Sequence, residues 1–321
     1  MGSELRRRLA ERGLPLLSDS ATGTWFQAHA PELGGECCDR MNGDRPDLVA
    51  QMYRLKIEAG ADLVLTNTFN CSPVRLKEFG LRERCRELNR RGVALLREAG
   101  REAGRPIFAG GNLGPSGKVL GVSATYDEIK TSYREQAEEL LAAGVDAICI
   151  ETILQPLEAQ AALEAVHEAG PGEAVIYATF SFMEGRAPNS GYRTFFGETI
   201  PELMEGKHDK LAKRPFAGLR NLPVDVVGSN CTVGLDDVTG IIREFRAYLT
   251  AHALTERFRL AAKPNSFIAP RDHYEPPEFA ELRFPALCAA GADIIGFCCG
   301  STPDHIRAAA KARARGVPPE A

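Results

Sequence analysis

Eight short apolar runs, separated by amphipathic segments, constrain the fold of this chain more than any other feature. Most of the runs are apolar on both alternating faces, which is typical of parallel strands buried on both sides. The runs lie at residues 15–19, 61–69, 105–112, 146–152, 173–182, 224–231, 259–265 and 292–299. Eight strands that alternate with helices predict a (β/α)8 TIM barrel of the α/β class, with an open doubly wound sheet as the alternative.

Helix signals fill the spaces between these runs. Thr125 is an N-cap candidate followed by acidic residues, and Gly144 can end the same segment. Pro156 suits the first turn of another helix, which Gly170 can end. The patterns predict helices over 47–60, 125–144, 156–170, 235–249 and 301–314.

The chain length matches one barrel. The protein has 321 residues, and barrels of this type use about 250 residues or more. We therefore predict a single domain over 1–321, with its core at about 15–310. The connection at 183–223, between the fifth and sixth strands, is longer than an ordinary loop. It is interpreted either as a lid with substrate contacts or as an extra helix outside the barrel.

Net charge and hydropathy restrict the kinds of binding partner and the cellular location that we expect. The net charge of −4 gives no reason to expect a nucleic-acid partner. No apolar run approaches the roughly 20 residues that cross a bilayer, and the charged start lacks a signal core. Nine cysteines in a chain this long do not form a secreted disulfide framework. These features predict a cytoplasmic protein without a membrane partner.

Polar and thiol side chains gather where the predicted strands end. Barrel enzymes work at the face formed by the C-terminal ends of their strands, so these residues are expected to share one site. They are Asp19, Thr66, Asn67, Thr68, Asn112, Glu151, Cys231, Asn265, Cys298 and Cys299.

The cysteines suggest a metal centre. Cys298 and Cys299 can aim at one point only if the strand has ended, and Gly300 supplies a turn. Cys231 ends the sixth strand and could complete a set of three thiolates. Three protein ligands that leave one position open are typical of catalytic zinc. The alternatives are three buried structural cysteines or a strained disulfide between Cys298 and Cys299.

Two carboxylates are expected at the same mouth. Asp19 and Glu151 could act as acid and base or bind a cationic amine. Alternatively, Asp19 caps a turn and Glu151 pairs with a local arginine. A second adjacent pair, Cys37 and Cys38, has nothing nearby to complete a metal site and is read as incidental or redox-sensitive.

The sequence resembles a known family at these motifs. The stretch GFCCGSTPDHI at 296–306 is similar to the GGCCGTTPEHI signature of the homocysteine S-methyltransferase family. Further blocks resemble that family in the same order, from about residue 15 to 310: ADLVLTNTF, GNLGPSG, GVDAICIET, GSNCTVG and KPN. The resemblance implies a zinc-dependent barrel that activates homocysteine as a zinc-bound thiolate and methylates it to methionine.

The resemblance also implies roles for individual residues. It assigns Cys231, Cys298 and Cys299 to zinc, with Asn265 as an exchangeable fourth ligand. It places Asp19 and Glu151 on the amino group of homocysteine, and backbone N–H groups from Ser20 onwards near the carboxylate. Thr66, Asn67 and Thr68 would line the mouth. Where the family has Gly-Gly after its first aspartate, this chain has Ser20 and Ala21, so another thiol could replace homocysteine.

The sequence leaves several methyl donors open. The blocks are closest to the homocysteine-binding module of cobalamin-dependent methionine synthase, which implies a methylcorrinoid such as methylcobalamin, free or on a separate corrinoid protein. The alternative donors are S-methylmethionine, S-adenosylmethionine and betaine, for which Trp25 and Tyr192 could form part of a cation cage. Two other classes stay open: a zinc hydrolase, and a non-catalytic zinc-binding subunit of a corrinoid system.

Overall fold

The computed structural model describes residues 2–11, 13–33, 37–184, 191–269 and 272–316. Eight parallel strands form one sheet in the order β1-β8-β7-β6-β5-β4-β3-β2. In chain order the strands are β1 (Leu16–Leu17), β2 (Leu63–Leu65), β3 (Phe108–Leu113), β4 (Ala147–Ile153), β5 (Val175–Phe180), β6 (Val226–Asn230), β7 (Arg259–Lys263) and β8 (Ile294–Ile295). Six of the strands lie within predicted apolar runs, and β3 and β4 each extend one residue beyond the end of theirs.

The sheet curls until its two outer strands meet. The backbone N–H of Asp62, one residue before β2, donates to the carbonyl of Leu17 in β1 at 2.7 Å. On the other side of β1, Leu16 pairs with Ile294 of β8. The prediction of a (β/α)8 TIM barrel is therefore confirmed, and the open doubly wound sheet is excluded.

Helices surround the barrel. They are α1 (Gly2–Ala10), α2 (Thr22–His29), α3 (Met41–Asp44), α4 (Pro46–Glu58), α5 (Pro73–Glu78), α6 (Cys85–Glu102), α7 (Tyr126–Ala142), α8 (Pro156–Glu168), α9 (Ile200–Glu205), α10 (Leu235–Ala251), α11 (Pro277–Ala289) and α12 (Pro303–Ala314). Thr125 caps α7 in a capping box with Glu128, as predicted. No helix in the described part of the chain is long and apolar enough to cross a membrane. The cytoplasmic location stays a prediction.

Two apolar layers hold the barrel together. Because successive strand residues face opposite sides, Leu16 joins the cluster inside the barrel and Leu17 joins the cluster between strands and helices. Leu5 and Leu9 of α1 belong to the inner cluster. Helix α1 thus closes the N-terminal end of the barrel and leaves the C-terminal end open for a site.

The long connection at 183–223 lies on the outside of the barrel. It contains α9, the 3-10 helix Leu219–Asn221 and a hairpin of Lys207–Asp209 with Arg214–Phe216. The backbone N–H of Ala217 donates to Gln160 of α8 at 2.9 Å. Among its described residues none lines the cavity at the strand ends, which favours the interpretation as an outer helix. Residues 185–190, part of the same prediction, lie outside the described residues.

Candidate active site

The three predicted cysteines meet at the C-terminal end of the barrel. The ligand atoms of Cys231, Cys298 and Cys299 all lie within 4.8 Å of one another. The Sγ atoms of Cys231 and Cys299 are 3.7 Å apart. Two sulfurs on a tetrahedral zinc ion, each about 2.3 Å from it, would be separated by about 3.8 Å. The donor set and its spacing therefore fit zinc.

The backbone turns sharply to present the adjacent pair. Strand β8 ends at Ile295, and Gly300 has a φ of 82°, which favours glycine. A Cβ on Gly300 would lie 2.4 Å from the backbone nitrogen of Phe267. The carbonyl of Cys299 accepts the N–H groups of Ser266 at 2.8 Å and Phe267 at 3.0 Å. The pair is therefore held by a rigid turn, as the sequence predicts.

Cys231 is positioned by unusual backbone just past β6. Cys231 and Thr232 have φ values of 64° and 71°, in the left-handed region that non-glycine residues seldom adopt. The side chain of Asn230 ties this strand end to β4, because its Oδ1 accepts the N–H of Thr152 at 2.8 Å. Thr152 also has a positive φ, 64°. Three of the six described non-glycine residues with positive φ therefore lie around the candidate metal centre, as is common at functional sites.

The thiols influence one another's ionisation. Hydrogen bonding with Cys298 lowers the pKa of Cys231, but its bond to Cys299 and burial outweigh this and raise that pKa to about 12. Hydrogen bonding with Cys231 lowers the pKa of Cys299, but hydrogen bonding and charge from Cys298 prevail and raise it to about 12. Burial adds to both shifts. A divalent cation would replace these protons.

Asn265 has the properties of an additional ligand. Its side-chain Oδ1 is buried and accepts no hydrogen bond from the described residues. Its backbone N–H donates to the carbonyl of Val233 at 2.9 Å, which fixes it beside the Cys231 loop. A buried amide oxygen without a partner costs stability unless something else satisfies it. A cation held by the cysteines could do so.

A cavity of about 340 Å³ opens beside the cysteines. Its described lining includes the three thiols together with Asp19, Ser20, Thr66, Asn67, Glu151 and Lys263. The predicted site residues are thus brought together in this lining, except Thr68 and Asn265, which are not among its described residues. Trp25 and Tyr192 are not among its described lining residues, and Tyr192 instead hydrogen bonds to Asp237 of α10 at 3.3 Å. The structure therefore forms no cation cage from Trp25 and Tyr192.

Two lysines neutralise the acids of this cavity. Lys56 Nζ lies 2.8 Å from Asp19 Oδ2. Lys263 Nζ lies 3.2 Å from Asp19 Oδ1 and 2.9 Å from Glu151 Oε1. All four side chains are at most 6% exposed. Asp19 and Glu151 therefore both pair with lysines. The alternative predicted from the sequence, in which Asp19 caps a turn and Glu151 pairs with a local arginine, names the wrong partners.

Burial and ion pairing have opposite effects on the pKa values of these two acids and two lysines. Burial raises the pKa of Asp19, but the ammonium groups of Lys56 and Lys263 outweigh it, so the pKa lies below its ordinary value. For Glu151 burial prevails over Lys263 and raises the pKa. Burial lowers the pKa of Lys56. At Lys263 burial also lowers the pKa, but Glu151 and Asp19 prevail and raise it.

Ser20 and the start of α2 can receive an anion. Ser20 is 3% exposed, and its Oγ has no hydrogen-bond partner among the described residues. The N-cap residue Ala21 gives α2 no side-chain cap, and Thr22 and Gly23 line the cavity. Free N–H groups at a helix start attract carboxylates. The buried hydroxyl and these N–H groups are suited to one carboxylate.

The Thr66–Thr68 segment divides between lining and support. Thr66 and Asn67 line the cavity, whereas Thr68 is fully buried and is not among the described lining residues. Thr68 Oγ1 lies 2.7 Å from Thr66 Oγ1 and donates to the carbonyl of Asn112 at 2.9 Å. Thr68 therefore orients Thr66 from behind.

Three residues at or beside the cavity have no predicted role there: Lys56, Lys263 and Cys38. The sequence pattern places Lys56 in an amphipathic helix and Lys263 in the KPN block. Cys38 lines the cavity, and its Sγ lies 3.8 Å from Asn67 Oδ1. Cys37 is buried behind it, where burial raises the pKa of its thiol. A lysine at the end of an apolar strand was the available signal for Lys263, because buried lysines require a partner.

A parallel barrel with three thiols and an acid pair at its open end defines a barrel enzyme with a candidate thiolate metal centre. Comparison with known proteins is consistent with this class. The family model described as homocysteine S-methyltransferase matches residues 16–313. The chain therefore belongs to the homocysteine S-methyltransferase family.

Individual relatives agree with the family assignment. Methionine synthases of Mycobacterium leprae and Mycobacterium tuberculosis are 30% and 32% identical over 98% and 95% of this chain. The chain spans about a quarter of the length of these relatives, 25% in each case. The oxidized form of the homocysteine methyltransferase MmuM from Escherichia coli superposes with a TM-score of 0.72. It is 26% identical, over 96% of this chain and 98% of that chain.

Proposed function

We propose that this chain is a zinc-dependent S-methyltransferase that converts homocysteine to methionine. The observation that carries the proposal is the convergence of Cys231, Cys298 and Cys299 beside a cavity that also holds an acid pair. Family membership and the methionine synthase relatives support methyl transfer to homocysteine. Thiolate ligands and an open position distinguish this centre from the histidine-rich centres of most zinc hydrolases.

The residues of the chain would bind and orient the acceptor. The three cysteines, with Asn265 as exchangeable ligand, would hold zinc. Zinc would lower the pKa of the acceptor thiol, so that its sulfur would be a thiolate nucleophile at neutral pH. Ser20 Oγ and the first N–H groups of α2 would receive the acceptor carboxylate. Thr66 and Asn67 would form part of the cavity wall around the acceptor. No residue would need to act as a general base during methyl transfer, because binding to zinc would already have removed the proton of the acceptor sulfur.

The proposed donor is a methylcorrinoid, free or carried by a separate corrinoid protein. The resemblance of the blocks to the cobalamin-dependent module supports this choice. In the described lining of the cavity, the aromatic rings are those of Phe69 and Phe297. Two phenylalanines offer a weaker cage for a sulfonium or ammonium donor than tryptophan or tyrosine would. S-methylmethionine, S-adenosylmethionine and betaine remain the alternative donors.

Methionine formation tests the proposal. Zinc-loaded protein is incubated under anaerobic conditions with homocysteine and, separately, with each of the four donors. We expect methionine with methylcobalamin, and loss of turnover when zinc is removed. Turnover with another donor would replace the corrinoid. Zinc and homocysteine binding without turnover from any of these free donors would leave two readings, a methylcorrinoid held on a partner protein and a non-catalytic subunit.

A further inference from the structure

Lys263 occupies the position between the two acids of the cavity. Its ammonium lies 3.2 Å from Asp19 Oδ1 and 2.9 Å from Glu151 Oε1. Lys56 takes the second oxygen of Asp19 at 2.8 Å. Three of the four carboxylate oxygens of the pair therefore already accept a hydrogen bond from a lysine.

The fold holds Lys263 firmly in this position. Lys263 is the last residue of β7, pairs with Asn230 of β6, and its carbonyl accepts the N–H of Cys231 at 3.1 Å. Gly296 leaves room for its stem, because a Cβ there would lie 3.3 Å from Lys263 Cε. The side chain is 4% exposed and lines the cavity together with the three cysteines. The ammonium is therefore a fixed part of the acceptor site.

We propose that Lys263 determines acceptor specificity by filling the place of a substrate ammonium, so that the site takes carboxylated alkanethiols whether or not they carry an α-amino group. This inference rests on the proposed function. An arriving ammonium would meet a like charge beside an acid pair that is already neutralised, so it gains little there. The parts that would bind thiol and carboxylate, the cysteines and the Ser20 end of the cavity, do not depend on the amine.

A pair of matched thiols tests the inference without any variant. Homocysteine and 4-mercaptobutyrate share a skeleton and differ only in the α-amino group. Calorimetric titration of the zinc-loaded protein should give dissociation constants within about threefold of each other. A preference for homocysteine of more than about tenfold would overturn the inference and leave the proposed function intact. Binding of neither thiol would overturn the proposed function and the inference with it.

Substitution of the lysine tests its role directly. In Lys263→Met the acid pair regains a free position for an ammonium, so the preference for homocysteine over 4-mercaptobutyrate should rise by about tenfold or more. Lys130→Met is the matched control, because Lys130 pairs with Glu168 on the outer helices, and its preference should equal that of the wild type. An unchanged preference in folded Lys263→Met would refute the role of Lys263. If that variant does not fold, the wild-type comparison alone decides.

Discussion

The sulfur atoms of Cys231 and Cys299 lie 3.7 Å apart, although 68 residues separate them in the chain. This is close to the separation of two thiolates on one tetrahedral zinc ion. We predict one zinc per chain in the wild type and loss of most of it in Cys231→Ser, Cys298→Ser and Cys299→Ser. Metal analysis after dialysis measures this. Cys288→Ser on α11 is the control, and equal zinc loss in that variant would contradict the assignment.

Lys56 and Asp19 form a buried ion pair that should matter greatly for stability. Lys56→Met leaves the charge of Asp19 with only Lys263 nearby, and loss of one buried partner costs about 3–5 kcal/mol. Urea denaturation should report a decrease of this size in the free energy of unfolding. The surface pair of Arg82 and Glu135, both about two-fifths exposed (42% and 40%), provides the control. Arg82→Met should leave the free energy of unfolding nearly unchanged.

Gly300 should be irreplaceable for two separable reasons. Alanine there suffers the left-handed backbone cost of about 1–2 kcal/mol and also meets the backbone of Phe267. Gly144 has a similar φ of 85°, but a Cβ there meets nothing within 4 Å. Gly144→Ala should therefore show only the backbone cost. Gly300→Ala should lower the free energy of unfolding more than Gly144→Ala does, and it should also weaken zinc binding. Equal losses of stability and of zinc affinity in the two variants would refute the steric role of Gly300.

His305 should make stability depend on pH. The Nε2 atom of His305 lies 3.0 Å from the carbonyl oxygen of Glu275, and its Nδ1 accepts the N–H of Thr302 at 3.1 Å. One ring nitrogen faces an acceptor and the other accepts, which suits a neutral imidazole. Burial lowers its pKa below the ordinary 6.5. As the pH falls below about 6.5, His305 is protonated in the unfolded chain at a higher pH than in the folded protein. The free energy of unfolding therefore decreases in that range.

Denaturation of zinc-free protein at about pH 7.5 and about pH 5.5 measures this effect. His305→Gln should show a smaller decrease in stability between the two values than the wild type. His208, exposed on the outer hairpin, is the control residue. His208→Gln should keep the wild-type decrease, and an unchanged decrease in His305→Gln would contradict the prediction.

The barrel and the cysteines were predictable because their signals are local. The eight apolar runs are strand-length segments, and Cys298, Cys299 and Gly300 are adjacent, so their geometry follows from one turn. The lysine pairing was not predictable in this way. Lys263 is 244 residues from Asp19 and 112 from Glu151. Only closure of the barrel brings these charges together, and no local pattern separates such a lysine from one that reaches solvent.

The most direct test of the central claim is the number of sulfur atoms around the bound metal. Zinc X-ray absorption measures it on the zinc-loaded protein before and after addition of homocysteine. We predict three sulfurs at about 2.3 Å and one lighter ligand without the thiol, and four sulfurs with it. A centre that keeps three sulfurs and its lighter ligand when homocysteine saturates the protein would contradict activation of the acceptor at this site.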